Sequence, residues 1–198
     1  MTMHREVAAL MRIVPPPGEG HDERIDWAAA EADLGTPLPA DYRDFMTAYG
    51  SGSIGELCIL TPCRMATDAG YGVLMADFRQ GFADLWDREG GVPGVTLGPD
   101  RVLPWGTGCN ANELGWLMRG PDPDRWPVVV WRRHVSYGED HWALFECGMA
   151  EFIRRLLLAE FDECPLSDLS LWGNVAPFVT YLEEDRSMRD PVTGEYRW

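Results

Sequence analysis

Four histidines and five cysteines carry most of the reactive chemistry open to this 198-residue chain. His4, His21, His134 and His141 are spread along it, and only His134 and His141 fall near one another, with Asp140 and Cys147 close by. A zinc site needs three or four such groups converging on a tetrahedron, and this spacing matches no compact ligand pair. Cys58, Cys63, Cys109, Cys147 and Cys164 are odd in number and include no CxxC, which argues against both a disulfide framework and a zinc ribbon. They read as reduced, mostly buried thiols. A nucleophilic thiol belongs at a helix N-terminus beside a base. Cys147, just before Gly148, is the one cysteine at the start of an expected helix, and its competing role is that of a small apolar core side chain.

Other chemistries find less support. Seryl catalysis has no G-x-S-x-G elbow here. The pairs Glu139-Asp140 and Glu183-Glu184 sit in polar stretches, where nothing suggests the desolvation that raises a carboxyl pKa. Gly106-Thr107-Gly108 and Gly50-Ser51-Gly52 lack both the lysine of a phosphate loop and the G-x-G-x-x-G of a dinucleotide fold, so they read as turns. Trp105, Trp116, Trp126, Trp131 and Trp142 suggest base stacking only in a chain with a basic groove. The expectation is a protein with no metal, no cofactor and no enzymatic activity.

The charge has the wrong sign for nucleic acid. Seventeen basic residues stand against 32 acidic ones, a formal balance of −15, which repels phosphate backbones and anionic lipid. The same field speeds encounter with a basic partner, or serves only to keep a tryptophan-rich domain soluble. No apolar run approaches the roughly 20 residues that cross a bilayer. The start MTMHREVAALMR lacks the order of a signal peptide, so a cytoplasmic location is expected.

The elements that must position these residues follow from their periodicity. Val7, Leu10 and Met11 suggest a short helix after Thr2, stopped by Pro15-Pro16-Pro17-Gly18. Ile25 to Leu34 predicts a helix with Asp26 at its start and Gly35 as a left-handed stop. Tyr42, Phe45, Met46 and Tyr49 fall on one face of the next helix, which opens at Leu38-Pro39. Glu56 to Leu60 reads as a strand, and Tyr71 to Arg88 as a helix closed by Gly90-Gly91. Residues 102–108, 113–118, 127–132 and 141–145 then read as an antiparallel meander, followed by a helix from Met149 to Phe161. Leu166 to Leu182 is too apolar for a disordered end and suggests a packed helix or arm, whereas the residues from Glu183 onward look frayed.

One ordered series is specific. Ile25-Asp26-Trp27, Glu31, Leu34-Gly35, Leu38-Pro39 with the Tyr42 and Phe45 helix, and Gly50-Ser51-Gly52 together resemble the N-terminal signature of the SUKH superfamily, the immunity-protein group that includes the fungal cell-wall-assembly regulators. Trp105-Gly106 to Leu117, Pro127 to Trp131 and Met149 to Leu157 resemble its glycine-rich strand pair, apolar strand and closing helix. The resemblance covers roughly residues 25 to 160 and departs from the family in the long helix from Tyr71 and in the tail beyond Phe161.

The resemblance implies an α+β single domain, a mostly antiparallel sheet of about five or six strands with flanking helices. The expected division is an N-terminal helix and Pro-rich linker over 1–24, a SUKH-like domain over 25–161, and a C-terminal helical arm and frayed tail over 162–198. Bacterial members bind and neutralise a cognate polymorphic toxin, so the implied partner is such a toxin, basic if it is a nuclease. Trp27, Tyr42, Phe45 and Trp105 are expected in the core, Leu34 to Pro39 sets an interhelical angle, and Gly50 and Gly52 are expected at positive φ. A binding face is sought among Asp68, Tyr71, Asp100, Asn110, Asn112, Glu113, Tyr137, Glu139 and Asp140, read as exposed loop acids, amides and aromatics. Two other readings stay open: a regulatory adaptor with several cellular partners, and a small enzyme using His134, His141 and Cys147.

Overall fold

A computed structural model describes residues 3–18, 25–64, 73–108, 110–190 and 193–196. In chain order the elements are α1 (Arg5–Leu10), α2 (Trp27–Leu34), α3 (Ala40–Tyr49), β1 (Gly52–Ile54), β2 (Leu57–Ile59), α4 (Met75–Glu89), β3 (Val102–Gly108), β4 (Glu113–Leu117), β5 (Val128–Trp131), β6 (Trp142–Phe145), α5 (Met149–Leu157), β7 (Phe178–Thr180) and α6 (Tyr181–Met188). The strands form one antiparallel sheet in the order β6-β5-β4-β3-β2-β1-β7. The fold is α+β, as expected, with seven strands among the described residues rather than five or six.

Period-two alternation gives the sheet two apolar faces. Leu103, Trp105, Leu114, Trp116, Val128 and Val130 point to one, where they meet α1, α3 and α5 through Leu10, Phe45 and Phe152. Val102, Leu117, Val129, Trp131 and Trp142 point to the other, where Phe82 and Trp86 of α4 cover them. A helix looking like an insertion in sequence is thus what closes the second face. Gly115 permits its close approach, because a Cβ there would collide with the Phe82 ring and the Leu103 carbonyl.

Several helix ends match the sequence reading. Asp26 caps α2 by accepting the Ala29 N–H, and Gly35 ends it at φ 69°. Gly90 ends α4 at φ 79°. The cap of α1 is His4, and Thr2 lies outside the described residues. Tyr42, Phe45 and Trp105 are fully buried, whereas Trp27 is only partly so: it sits edge-on to Tyr42, under the Arg43 guanidinium.

Four expectations need correction. Gly50-Ser51-Gly52 is not only a turn, since Gly52 opens β1, a strand of three residues and too short to show alternation. Gly50 has φ 73°, but Gly52 does not take positive φ; it is glycine because a Cβ would strike the Val179 carbonyl of the adjacent β7. The C-terminal arm is not simply helical, because Phe178–Thr180 pairs with β1 and sets Phe178 against Phe45 and Tyr49. Glu183 does not lie in a frayed tail but closes a capping box with Thr180 at the start of α6.

Candidate functional site

The sheet register divides the sequence candidates between two ends of the molecule. Glu113 stands opposite Thr107 and Trp131, and Trp131 opposite Trp142, so the β3–β4 turn and the β5–β6 hairpin tip share one end. Asp100, just ahead of β3, lies at the other. Asp68 and Tyr71 fall outside the described residues.

At the first end, Tyr137 is fully exposed on the hairpin tip, where the Glu139 N–H donates to the Ser136 carbonyl at 3.0 Å. Glu139 and Asp140 are exposed beside it, and Asn110 is exposed on the neighbouring turn. Asn112 is not a surface contact: it is completely buried and holds the C-terminal arm. Its carbonyl oxygen accepts the Ser167 N–H at 3.1 Å and Oγ–H at 2.6 Å, while its amide nitrogen donates to Asp168 at 3.1 Å. Burial raises the Asp168 pKa, but hydrogen bonds from Ser170, Asn110 and Asn112 outweigh it and leave the carboxyl below its usual range.

Glu113 lies in a strand, as the reading of 113–118 has it, but is not the exposed contact expected of it. It opens β4, half-buried, and burial pushes its carboxyl up to about 7. Its Oε2 has no partner among the described residues, nor does Nε1 of Trp131, its register neighbour. This group titrates near neutrality, yet its cross-strand neighbours supply no activated nucleophile. Beyond Thr107 the next residue in the row is Cys58, whose thiol pKa burial also raises.

The histidines and Cys147 do not converge. His134 is exposed, whereas His141 stacks on Trp131 and places Nδ1 2.7 Å from the Arg132 carbonyl. A carbonyl only accepts, so that nitrogen carries the proton. Burial, reinforced by Glu151 and opposed by Arg155, pushes the Cys147 thiol up to about 12. It is protonated at neutral pH, the opposite of an activated nucleophile. Among the described residues no three His, Cys, Asp or Glu side chains are grouped to hold a metal ion, and no helix is long and apolar enough to cross a membrane.

The second end carries the concave surface. The short helical turns Pro99–Arg101 and Pro123–Arg125 both read Pro-Asp-Arg, and both line grooves there, with Pro37, Pro39 and Trp126. Three carboxylates at this end cap helices they do not belong to. Asp44 accepts the His4 N–H at the head of α1 (2.5 Å), Asp124 that of Ala40 in α3 (2.6 Å), and Asp41 that of Ala150 in α5 (3.0 Å). Sequence reading took only Asp100 from this region. The repeated Pro-Asp-Arg was the available signal.

An antiparallel sheet with α1, α3 and α5 on one face, the helix pair joined by Leu34 to Pro39, and a closing helix after the apolar strand define a SUKH-type α+β domain. The chain belongs to the SMI1 / KNR4 family (SUKH-1), whose family model matches residues 23–155. It therefore falls in the superfamily of immunity and regulatory domains. The match ends inside α5, leaving β7 and α6 beyond it. No curated protein and no solved structure matches the chain.

Proposed function

We propose that this protein is an immunity protein, which acts in the cytoplasm by binding a cognate polymorphic toxin of the basic, nuclease type and blocking it without catalysis. The observation that carries this reading is a SUKH-1 domain bearing a formal charge of −15. A nuclease holds phosphate and so presents a basic groove; an acidic inhibitor meets it quickly and competes with its substrate. Cys147 is protonated at neutral pH and follows β6 at the end of the sheet opposite the β5–β6 hairpin that carries His134, which agrees with a non-catalytic role.

The test is co-expression with the protein encoded beside it. Rescue of cells from a toxic neighbour, together with an equimolar complex whose association slows as salt rises, is the expected result. A set of unrelated partners, with no toxin neutralised, would replace this reading by the adaptor.

A further inference from the structure

Four concavities at the second end of the sheet run into one another. The largest, about 550 Å³, lies between the outer face of α4 and the Pro99–Arg101 turn. It shares Arg79 and Asp100 with the next, which continues to Gly120 and Trp126. That one shares Pro37 with a third, and the third shares Pro123 and Asp124 with a cavity of about 180 Å³ reaching Asp41 and Trp116. The result is a continuous trough.

Two features define what it would take. Eight carboxylates line the trough against four arginines; the arginines are engaged, and so are five of the carboxylates, Asp41, Asp44 and Asp124 as helix caps and Glu6 and Glu151 beside Arg154 and Arg155. Arg79 donates to the Leu34 carbonyl, Arg101 to that of Met118, Arg43 to Glu31, and Arg5 pairs with Glu6. Asp84, Asp87 and Asp100 are exposed along the α4 stretch, with no arginine of the trough bound to them. The second is length: the trough runs unbroken from the outer face of α4 to the wall formed by His4, Asp41 and Trp116. The guest that fits is therefore cationic and extended, as a peptide segment with basic side chains is.

The walls are preformed. Five prolines, at 37, 39, 99, 121 and 123, line the trough. Each fixes its own φ, so little order is lost on binding. We infer that this trough is the docking site for an extended, arginine- or lysine-bearing segment of a partner protein. The inference rests on the reading of this chain as a protein-binding domain, and it places the contact away from the Tyr137 hairpin.

The experiment is an NMR titration of the isotope-labelled full chain with a capped peptide of alternating Arg and Gly, beside a Gln and Gly control, at about 0.15 M salt. Saturable shifts confined to α4, Asp100, Gly120, Ala40 and the Trp116 and Trp126 indole N–H signals are expected. The triple variant Asp84→Asn, Asp87→Asn, Asp100→Asn should weaken binding about ten-fold, and Glu139→Gln with Asp140→Asn by less than about two-fold. Shifts spread over the whole acidic surface, shifts centred on residues 133–140, or an unchanged affinity of the triple variant would each overturn the proposal. The neutralisation assay separates the two claims. A toxin bound equally well by the triple variant removes the trough and leaves the immunity reading; a saturable trough with no toxin neutralised does the reverse.

Discussion

The Asp41 carboxylate of α3 accepts the Ala150 N–H at the head of α5 at 3.0 Å, across 109 residues of sequence. The N-cap of α5 is Gly148, which has no side chain to offer, and a Cβ there would come within 2.7 Å of Asp41 Oδ2. The glycine and the aspartate are two halves of one cap. Burial raises the Asp41 pKa against the opposing effect of the Ala150 hydrogen bond.

Asp41→Ala should therefore destabilise the fold by about 1–2 kcal/mol through loss of the cap, and Asp41→Asn, which keeps an acceptor, by less. A carboxyl whose folded pKa lies above its unfolded value holds a proton the unfolded chain has released, so its stabilisation fades as pH rises through that window. The gap between wild type and Asp41→Asn should accordingly widen towards acid pH in urea unfolding. A gap independent of pH would show that burial does not govern this group.

Glu113 allows a sharper test of the same linkage. Its carboxyl rises from 4.5 to about 7, with burial as the cause. Between those values the native state binds the extra proton, so stability falls as pH increases and levels off above about 7. Part of the side chain reaches solvent, which limits the effect to on the order of 2 kcal/mol. Glu113→Gln should abolish that slope and be the more stable protein at alkaline pH. Unfolding curves at about pH 5 and pH 8 for both proteins decide it.

Legibility tracked the length of the periodic signal. The face Tyr42, Phe45, Met46 and Tyr49 is core as read, and the β-branched run Val128–Trp131 is a strand as read, buried along its whole length. The short strands β1 and β7 escaped because three residues carry no period; only tertiary pairing makes them strands. Asn112 and Glu113 looked like exposed polar groups because sequence does not reveal which polar side chain will be buried. The trough escaped for a related reason: its residues come from α1, the α2–α3 connection, α4, two proline turns and the start of α5, brought together only by the fold.

Asn112 should prove to be the clasp of the C-terminal arm. Asn112→Ala leaves the Ser167 donors and Asp168 short of a partner in a buried setting, a loss of about 1–3 kcal/mol. Because the clasp is local, hydrogen exchange should quicken first over residues 164–180, with α3 and β3 protected as before. Uniform quickening throughout the chain would mean that the arm and the sheet unfold together.

Phe45 and Phe178 test whether the arm belongs to the core of the domain. Phe45 is fully buried in α3, stacked on Tyr49 at 4.5 Å and edge-on to Phe178 at 6.0 Å, so the ring from β7 completes an aromatic cluster begun inside the family-matched region. Phe45→Ala should cost about 3–5 kcal/mol by opening a cavity. Phe178→Ala removes a ring at the sheet margin, where neighbours collapse more easily, and should cost less. Since the two rings touch, the double variant should be less destabilised than the two single losses added together. Ending the chain after Phe161 removes Phe178 and bares the β1 edge, whose unpaired N–H and C=O groups invite association with other chains. A shortened chain that stays monomeric, with unchanged unfolding midpoint, would show the arm to be an appendage rather than the seventh strand of the domain.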